Sequence, residues 1–116
     1  IPQLIYSIVY NLCDNAIKYN HCGGNVNIRV HQTLYNAVLS VKDTGIGIPE
    51  ESRERIFERF YRVDKSRSKE VGGTGLGLSI VKHAVMIHNG KIEVKSELGE
   101  GTEMIVTIPN KQDINL

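Results

Sequence analysis

Near the start of the chain the apolar residues recur at helical spacing. Leu4, Ile5, Ile8, Leu12 and Ala16 share one face of a helix predicted over residues 2–19. Pro2 is tolerated in a first turn, and Gly23 and Gly24 stop the pattern. The period then changes to two. NVNIRVH (25–31) alternates Val26, Ile28 and Val30 with polar residues, and AVLSVKD (37–43) puts Ala37, Leu39 and Val41 on one face, which predicts a hairpin turning near Asn36. Residues 50–60 carry Ile56, Phe57 and Phe60 in a charged background, as a short helix resting two aromatics on a core would. A second long helix is predicted from about Leu76 to His88, with Leu78, Val81, Ala84, Val85 and Ile87 apolar and Asn89 and Gly90 as its stop. KIEVKS (91–96) and TEMIVTIP (102–109) then alternate Ile92 and Val94, and Met104, Val106 and Ile108, across the glycine-bearing turn LGEG. Helices on one side of a mostly antiparallel sheet predict an α+β fold, a two-layer sandwich.

Composition narrows this picture only modestly. A chain of 116 residues, 41% of them hydrophobic, suits one domain with an ordinary core. Lys+Arg 14 against Asp+Glu 13 is not the basic excess that nucleic acid requires, so no such partner is implied. No apolar run is long enough for a bilayer and no leader or lipidation signal appears, so this stretch is expected to be soluble, whatever its parent. Cys13 and Cys22 form neither a disulfide framework nor a CxxC pair and are expected to be reduced. His21, His31, His83 and His88 are scattered without metal-ligand spacing, so no metal site is assigned to them.

Four segments carry candidate chemistry. VGGTGLGLSIVKHAV (71–85) runs a glycine-dense loop straight into a helix; Gly72, Gly73, Gly75 and Gly77 let the backbone approach a ligand, and free N–H groups at the helix start favour an anion. Glycine-rich helix starts also arise from packing, so the loop alone does not decide. In NLCDNAIKY (11–19), Asn11, Asn15 and Lys18 fall at i, i+4 and i+7 as a polar stripe beside the apolar face. Two asparagines weaken a helix relative to Ala or Leu, and an Asn oxygen can ligate Mg²⁺ while a lysine neutralises phosphate, although a solvated face is the plainer reading. In DTGIGIP (43–49), Asp43 ends a strand and two glycines follow. That suits an ordinary turn, and equally a rigid carboxylate accepting from an exocyclic amine such as adenine's. YRVDKSRSK (61–69) offers Arg62, Lys65, Arg67 and Lys69 against Asp64, and Arg62, nearest Phe60, is the first choice to reach a terminal phosphate.

NLCDNAIKY, DTGIGIP, IFERFYR, GGTGLGL and GEGT occur in an order that resembles the catalytic ATP-binding domain of bacterial sensor histidine kinases. That family belongs to the wider GHKL group sharing the Bergerat fold with gyrase, Hsp90 and the mismatch-repair ATPase. The resemblance covers nearly all of residues 1–116 and implies about five strands, mixed but mostly antiparallel, against about three helices, with a mobile ATP lid at about 61–74. By that likeness Asn15 would ligate Mg²⁺, and Asn11, Lys18 and Tyr19 would line the phosphate and ribose side. Asp43 would bind adenine N6, while Gly45, Gly47 and Ile48 shape the base pocket. Arg62 would approach the γ-phosphate; Gly73, Thr74, Gly75, Leu76 and Gly77 would flank the phosphates; and Thr102 would sit near adenine. Asn20 stands where the family more often has Thr or Ser.

Group members that hydrolyse ATP carry a glutamate four residues before the metal-binding asparagine. Here that position is Asn11, and an amide has no useful basicity, so hydrolysis is expected to be slow and the γ-phosphate kept for another acceptor. Asp14 is the one carboxylate near enough to be weighed as a base or acceptor-orienting group, against a plain solvated aspartate. No histidine has the family's phosphoacceptor context: His83 precedes Ala84 and His88 precedes Asn89. The resemblance therefore implies a protein-histidine kinase domain, inactive alone, that binds Mg-ATP and phosphorylates a histidine on a separate dimerisation domain, with a response regulator as indirect partner. It implies a monomeric fragment of a homodimeric parent, and a cytoplasmic domain of a membrane-anchored sensor. Two alternatives are an ATP-binding clamp, against which Asn11 argues, and a non-catalytic nucleotide-sensing module.

Overall fold

The strands form where the alternation places them. In the computed structural model, which describes residues 2–20, 22–58 and 77–109 and side chains from residue 5 onward, β1 (Val26–Gln32) and β2 (Asn36–Asp43) pair antiparallel. Thr33 closes the hairpin, its N–H donating to Asn36 O at 2.8 Å and its Oγ1 accepting the Asn36 N–H at 2.9 Å. β3 (Lys91–Glu97) and β4 (Gly101–Pro109) form the second hairpin, and β4 lies beside β2, so the order is β1-β2-β4-β3. The register aligns Asp43 with Thr102 and Thr102 with Ser96, and next to that row Val41 with Met104 and Met104 with Val94. Because side chains alternate, Asp43, Thr102 and Ser96 share the inner face with this apolar row and close one end of the sheet.

Two helices cover that face: α1 (Pro2–Lys18) and α2 (Gly77–Ile87). Ile8, Leu12 and Ala16 of α1 and Val81, Ala84 and Val85 of α2 meet Val41, Met104 and Val106 of the sheet in one buried cluster. Each fully buried aliphatic side chain there contributes about 1.5–3 kcal/mol. α2 stops as predicted: Asn89 adopts φ 59 and the Gly90 N–H donates back to Val85 O at 2.9 Å, which satisfies an otherwise open carbonyl of the last turn.

Two expectations change. The described residues give four strands, all antiparallel, where about five in a mixed sheet were expected. The third helix, expected over 50–60, is instead a pair of single 3₁₀ turns, Glu50–Ser52 and Arg55–Phe57. Arg53 is tied to β3 by a hydrogen bond from Nη2 to Ser96 O, and Ile56 is buried in the core. Phe57 packs partly buried against the core, with Lys82 Nζ 5.2 Å from its ring centroid, and Phe60 lies outside the described residues.

Candidate functional site

Asp43 ends β2 with 7% of its surface exposed. Its Oδ1 accepts the Gly45 N–H at 2.9 Å and the Thr102 N–H at 3.2 Å, and among the described residues no donor takes Oδ2. Burial pushes the carboxyl above the ordinary carboxylate range, against the two N–H bonds that pull it down. A fixed carboxylate with one oxygen anchored and one open is a directional acceptor.

The loop after Asp43 is fastened on both sides. Ile46 N–H donates to Tyr19 O at 3.2 Å, Gly99 N–H to Ile46 O at 3.0 Å, and Ile48 N–H to Ser96 Oγ at 2.7 Å. Ser96 Oγ donates in turn to Gly101 O at 3.0 Å, which leaves it to accept from Thr102 Oγ1 at 2.9 Å, so this half-buried hydroxyl is fully used. A Cβ on Gly45 would strike the Tyr19 carbonyl, and one on Gly47, at φ +78, the Glu97 carbonyl. The two glycines therefore allow close approach of backbone to backbone, a requirement that their place in the sequence does not reveal.

Asn11, Asn15 and Lys18 stand half-buried along α1. Asn11 Nδ2 donates to Ser7 O at 2.8 Å, and a Cβ on Gly77 would lie 3.0 Å from Asn11 Oδ1. Gly77, at the N-terminal end of the described α2, thus lies directly against Asn11 of the stripe. Lys18 Nζ lies 3.0 Å from Asp14 Oδ2 on the same flank of the helix.

The structure therefore brings Asp43, Gly45, Ile48 and Thr102 together at the sheet end, ties the loop to Tyr19, and brings Asn11 to Gly77. Arg62, Gly73, Thr74, Gly75 and Leu76, with the whole expected lid, lie outside the described residues. Sequence reasoning missed Ser96 and Arg53, which hold the loop. Ser96 was findable, being a polar residue in the inward phase set by Ile92 and Val94. It also undervalued Asn20, whose Nδ2 donates to Asn25 O at 2.9 Å while Oδ1 accepts from Thr44 Oγ1 at 3.3 Å. One amide supplies both bonds, as a single hydroxyl could with less reach.

Two helices laid on one face of a four-stranded antiparallel sheet are the architecture of the Bergerat fold. The chain belongs to the family described as histidine kinase-, DNA gyrase B-, and HSP90-like ATPase, whose pattern matches residues 1–112. It is 46% identical over 110 residues to the sensor-like histidine kinase SenX3 of Mycolicibacterium smegmatis, covering 95% of this chain and 29% of that protein. Among solved structures, the mycobacterial sensor histidine kinase MprB superposes with a TM-score of 0.84 at 36% identity, covering 94% of this chain and 74% of that one. Full-length ShkA in complex with AMPPNP gives 0.77 at 33%, covering 91% and 21%. The chain spans less than a third of the curated relatives it matches, from 18% to 29% of their length. Among the described residues no helix is long and apolar enough to cross a membrane.

Proposed function

We propose that the chain is the catalytic domain of a sensor histidine kinase, binding Mg-ATP and passing its γ-phosphoryl group to a histidine on a separate dimerisation domain, for relay to a response-regulator aspartate. The observation that carries this reading is Asp43, a buried carboxylate whose Oδ1 is held by two backbone N–H groups while Oδ2 is left to accept from adenine N6. Ile48 and Thr102 flank it through Ser96, and the Ile46 bond to Tyr19 joins this base end to α1. Asn11 and the α2 start would bind phosphate oxygens through N–H donors, Lys18 would offset phosphate charge, and Arg62 with the 73–77 glycine loop would complete the cradle. Asn15 would hold Mg²⁺, which supplies charge neutralisation across the phosphates when bound.

Transfer needs a positioned γ-phosphate, an in-line acceptor and exclusion of water. The Asn11 amide gives one of its two N–H donors to Ser7 O and has no basicity for activating water, which favours an outside acceptor over hydrolysis. The names of the relatives support the same assignment, and the AMPPNP complex of ShkA supports an adenine nucleotide as ligand. The parent would be a homodimer with this domain on the cytoplasmic side of a membrane-anchored sensor.

The test is calorimetric titration of a non-hydrolysable ATP analogue with Mg²⁺, followed by ATP with an added acceptor-histidine domain. Saturable micromolar binding, roughly 8 kcal/mol, and acid-labile phosphohistidine on the added domain are expected. Steady hydrolysis by the domain alone would indicate a clamp instead, and binding without phosphohistidine a nucleotide-sensing module.

A further inference from the structure

Asp14 is used by nothing in the mechanism above, yet it stands inside the phosphate-facing stripe. At about 100° per residue, Asp14, Lys18, Asn11 and Asn15 fall within roughly 100° of arc on α1. The lysine of that arc is already engaged: Lys18 Nζ lies 3.0 Å from Asp14 Oδ2, with the two side chains 33% and 35% exposed. An anionic ligand arriving at the stripe therefore meets a cation whose charge is partly spent and a carboxylate of its own sign beside it.

We infer that Asp14 is an internal competitor for Lys18, holding the ammonium in the ligand-free domain and yielding it to polyphosphate, so that it weakens binding of phosphate-bearing ligands and leaves base recognition alone. The inference rests on the nucleotide reading. Its size follows from the geometry. An i,i+4 pair this exposed is weak, so releasing Lys18 costs little, and like-charge repulsion of the incoming phosphates acts in the same direction. Together they set an effect of about three- to tenfold in affinity. When ligand leaves, Lys18 has a partner to return to, so the effect falls mainly on the dissociation rate.

The experiment compares wild type, Asp14→Asn, Lys18→Gln and the double variant, titrating each with a Mg²⁺-loaded non-hydrolysable ATP analogue and with adenosine, and checking each fold by thermal unfolding. Asp14→Asn is expected to tighten the analogue about three- to tenfold with slower dissociation, to leave adenosine unchanged, and to lose most of that gain when Lys18 is Gln. The gain should also shrink at high salt. Unchanged or weaker analogue binding overturns the inference, as does an equal shift for adenosine or a gain that survives intact in the Lys18→Gln background. If the wild type binds the analogue and Asp14→Asn changes nothing, this inference alone fails. If the wild type binds neither ligand, the nucleotide reading falls and takes the inference with it.

Discussion

The two ends of the proposed nucleotide site are built from different materials. At the base end nearly every anchor involves backbone and is remote in sequence: Asp43 is held from Thr102, Ile46 from Tyr19 and Gly99, and Ile48 from Ser96. At the phosphate end the described anchors are side chains of one helix bonding four residues away, Asn11 to Ser7 and Lys18 to Asp14, with Gly77 as the one distant neighbour. The proposed base pocket is thus tied into the fold, whereas the proposed phosphate stripe is carried by side chains of a single helix. Breaking the first should damage stability and binding together. Breaking the second should change binding only.

The largest separation is expected at Asp43. Asp43→Ala removes the acceptor of two buried N–H groups, each costing about 1–3 kcal/mol when orphaned, and is expected to lower stability and abolish nucleotide binding at once. Asp43→Asn keeps an acceptor oxygen for both N–H groups but turns an NH₂ toward the adenine amine. Its affinity should fall at least about thirtyfold, or about 2 kcal/mol, with the denaturation midpoint held or raised. Paired calorimetry and urea unfolding check both, and an Asn variant that still binds would remove Asp43 from base recognition.

Two glycines of nearly equal φ offer a cleaner dissection. Gly47 (φ +78) would drive a Cβ into the Glu97 carbonyl, whereas Gly99 (φ +83) has open space around it. Gly99→Ala should cost only the left-handed strain, about 1–2 kcal/mol, and Gly47→Ala that strain plus about 1–3 kcal/mol of overpacking. Equal losses in urea unfolding would show that the loop tolerates separation from β3, and that the base end is less rigid than its bonds imply. At the phosphate end, Lys18→Gln should weaken the Mg²⁺-loaded analogue about three- to tenfold while adenosine affinity stays the same and stability moves within about 0.5 kcal/mol. A lost denaturation midpoint there would erase the contrast between the two ends.

Much of this was legible in the sequence, for reasons that differ by residue. The four strands and two long helices announced themselves because period 2 and period 3.6 cannot be confused over runs such as TEMIVTIP and NLCDNAIKY. The position of Asp43 at a strand end and of Asn11, Asn15 and Lys18 along one side of α1 was readable from spacing alone. The 3₁₀ turns at Glu50–Ser52 and Arg55–Phe57 were not, since they flank Arg53, which bonds a carbonyl on β3, and no local pattern encodes a partner 43 residues away. The close backbone approach at Gly45 and Gly47 was hidden likewise: sequence shows that a side chain is missing, and only the fold shows which backbone would have met it. Ser96 combines the two cases, its inward phase readable and its three bonds not.

The finest test of the proposed base end is the pH dependence of Asp43. Burial raises its carboxyl pKa above the unfolded value, so between those two values the native state binds more protons than the unfolded chain. The slope of unfolding free energy with pH is then negative for this group: its contribution is most favourable below the ordinary carboxylate pKa, declines as pH rises through the raised native value, and is flat above it. Other carboxylates titrate in the same range, so the quantity to follow is the difference in urea midpoint between wild type and Asp43→Asn from about pH 3.5 to pH 7. Wild type should lose ground to the variant as pH climbs. Over the same window wild-type affinity for adenosine should rise, because only the anion is an acceptor at both oxygens and Oδ2 must accept the base. Stability and binding moving in opposite directions would identify a carboxylate kept charged and buried for its ligand at the expense of the fold. A midpoint difference that is flat, or that favours wild type at higher pH, would mean that the Gly45 and Thr102 N–H bonds outweigh burial, and that the base end stabilises the empty domain as well as the occupied one.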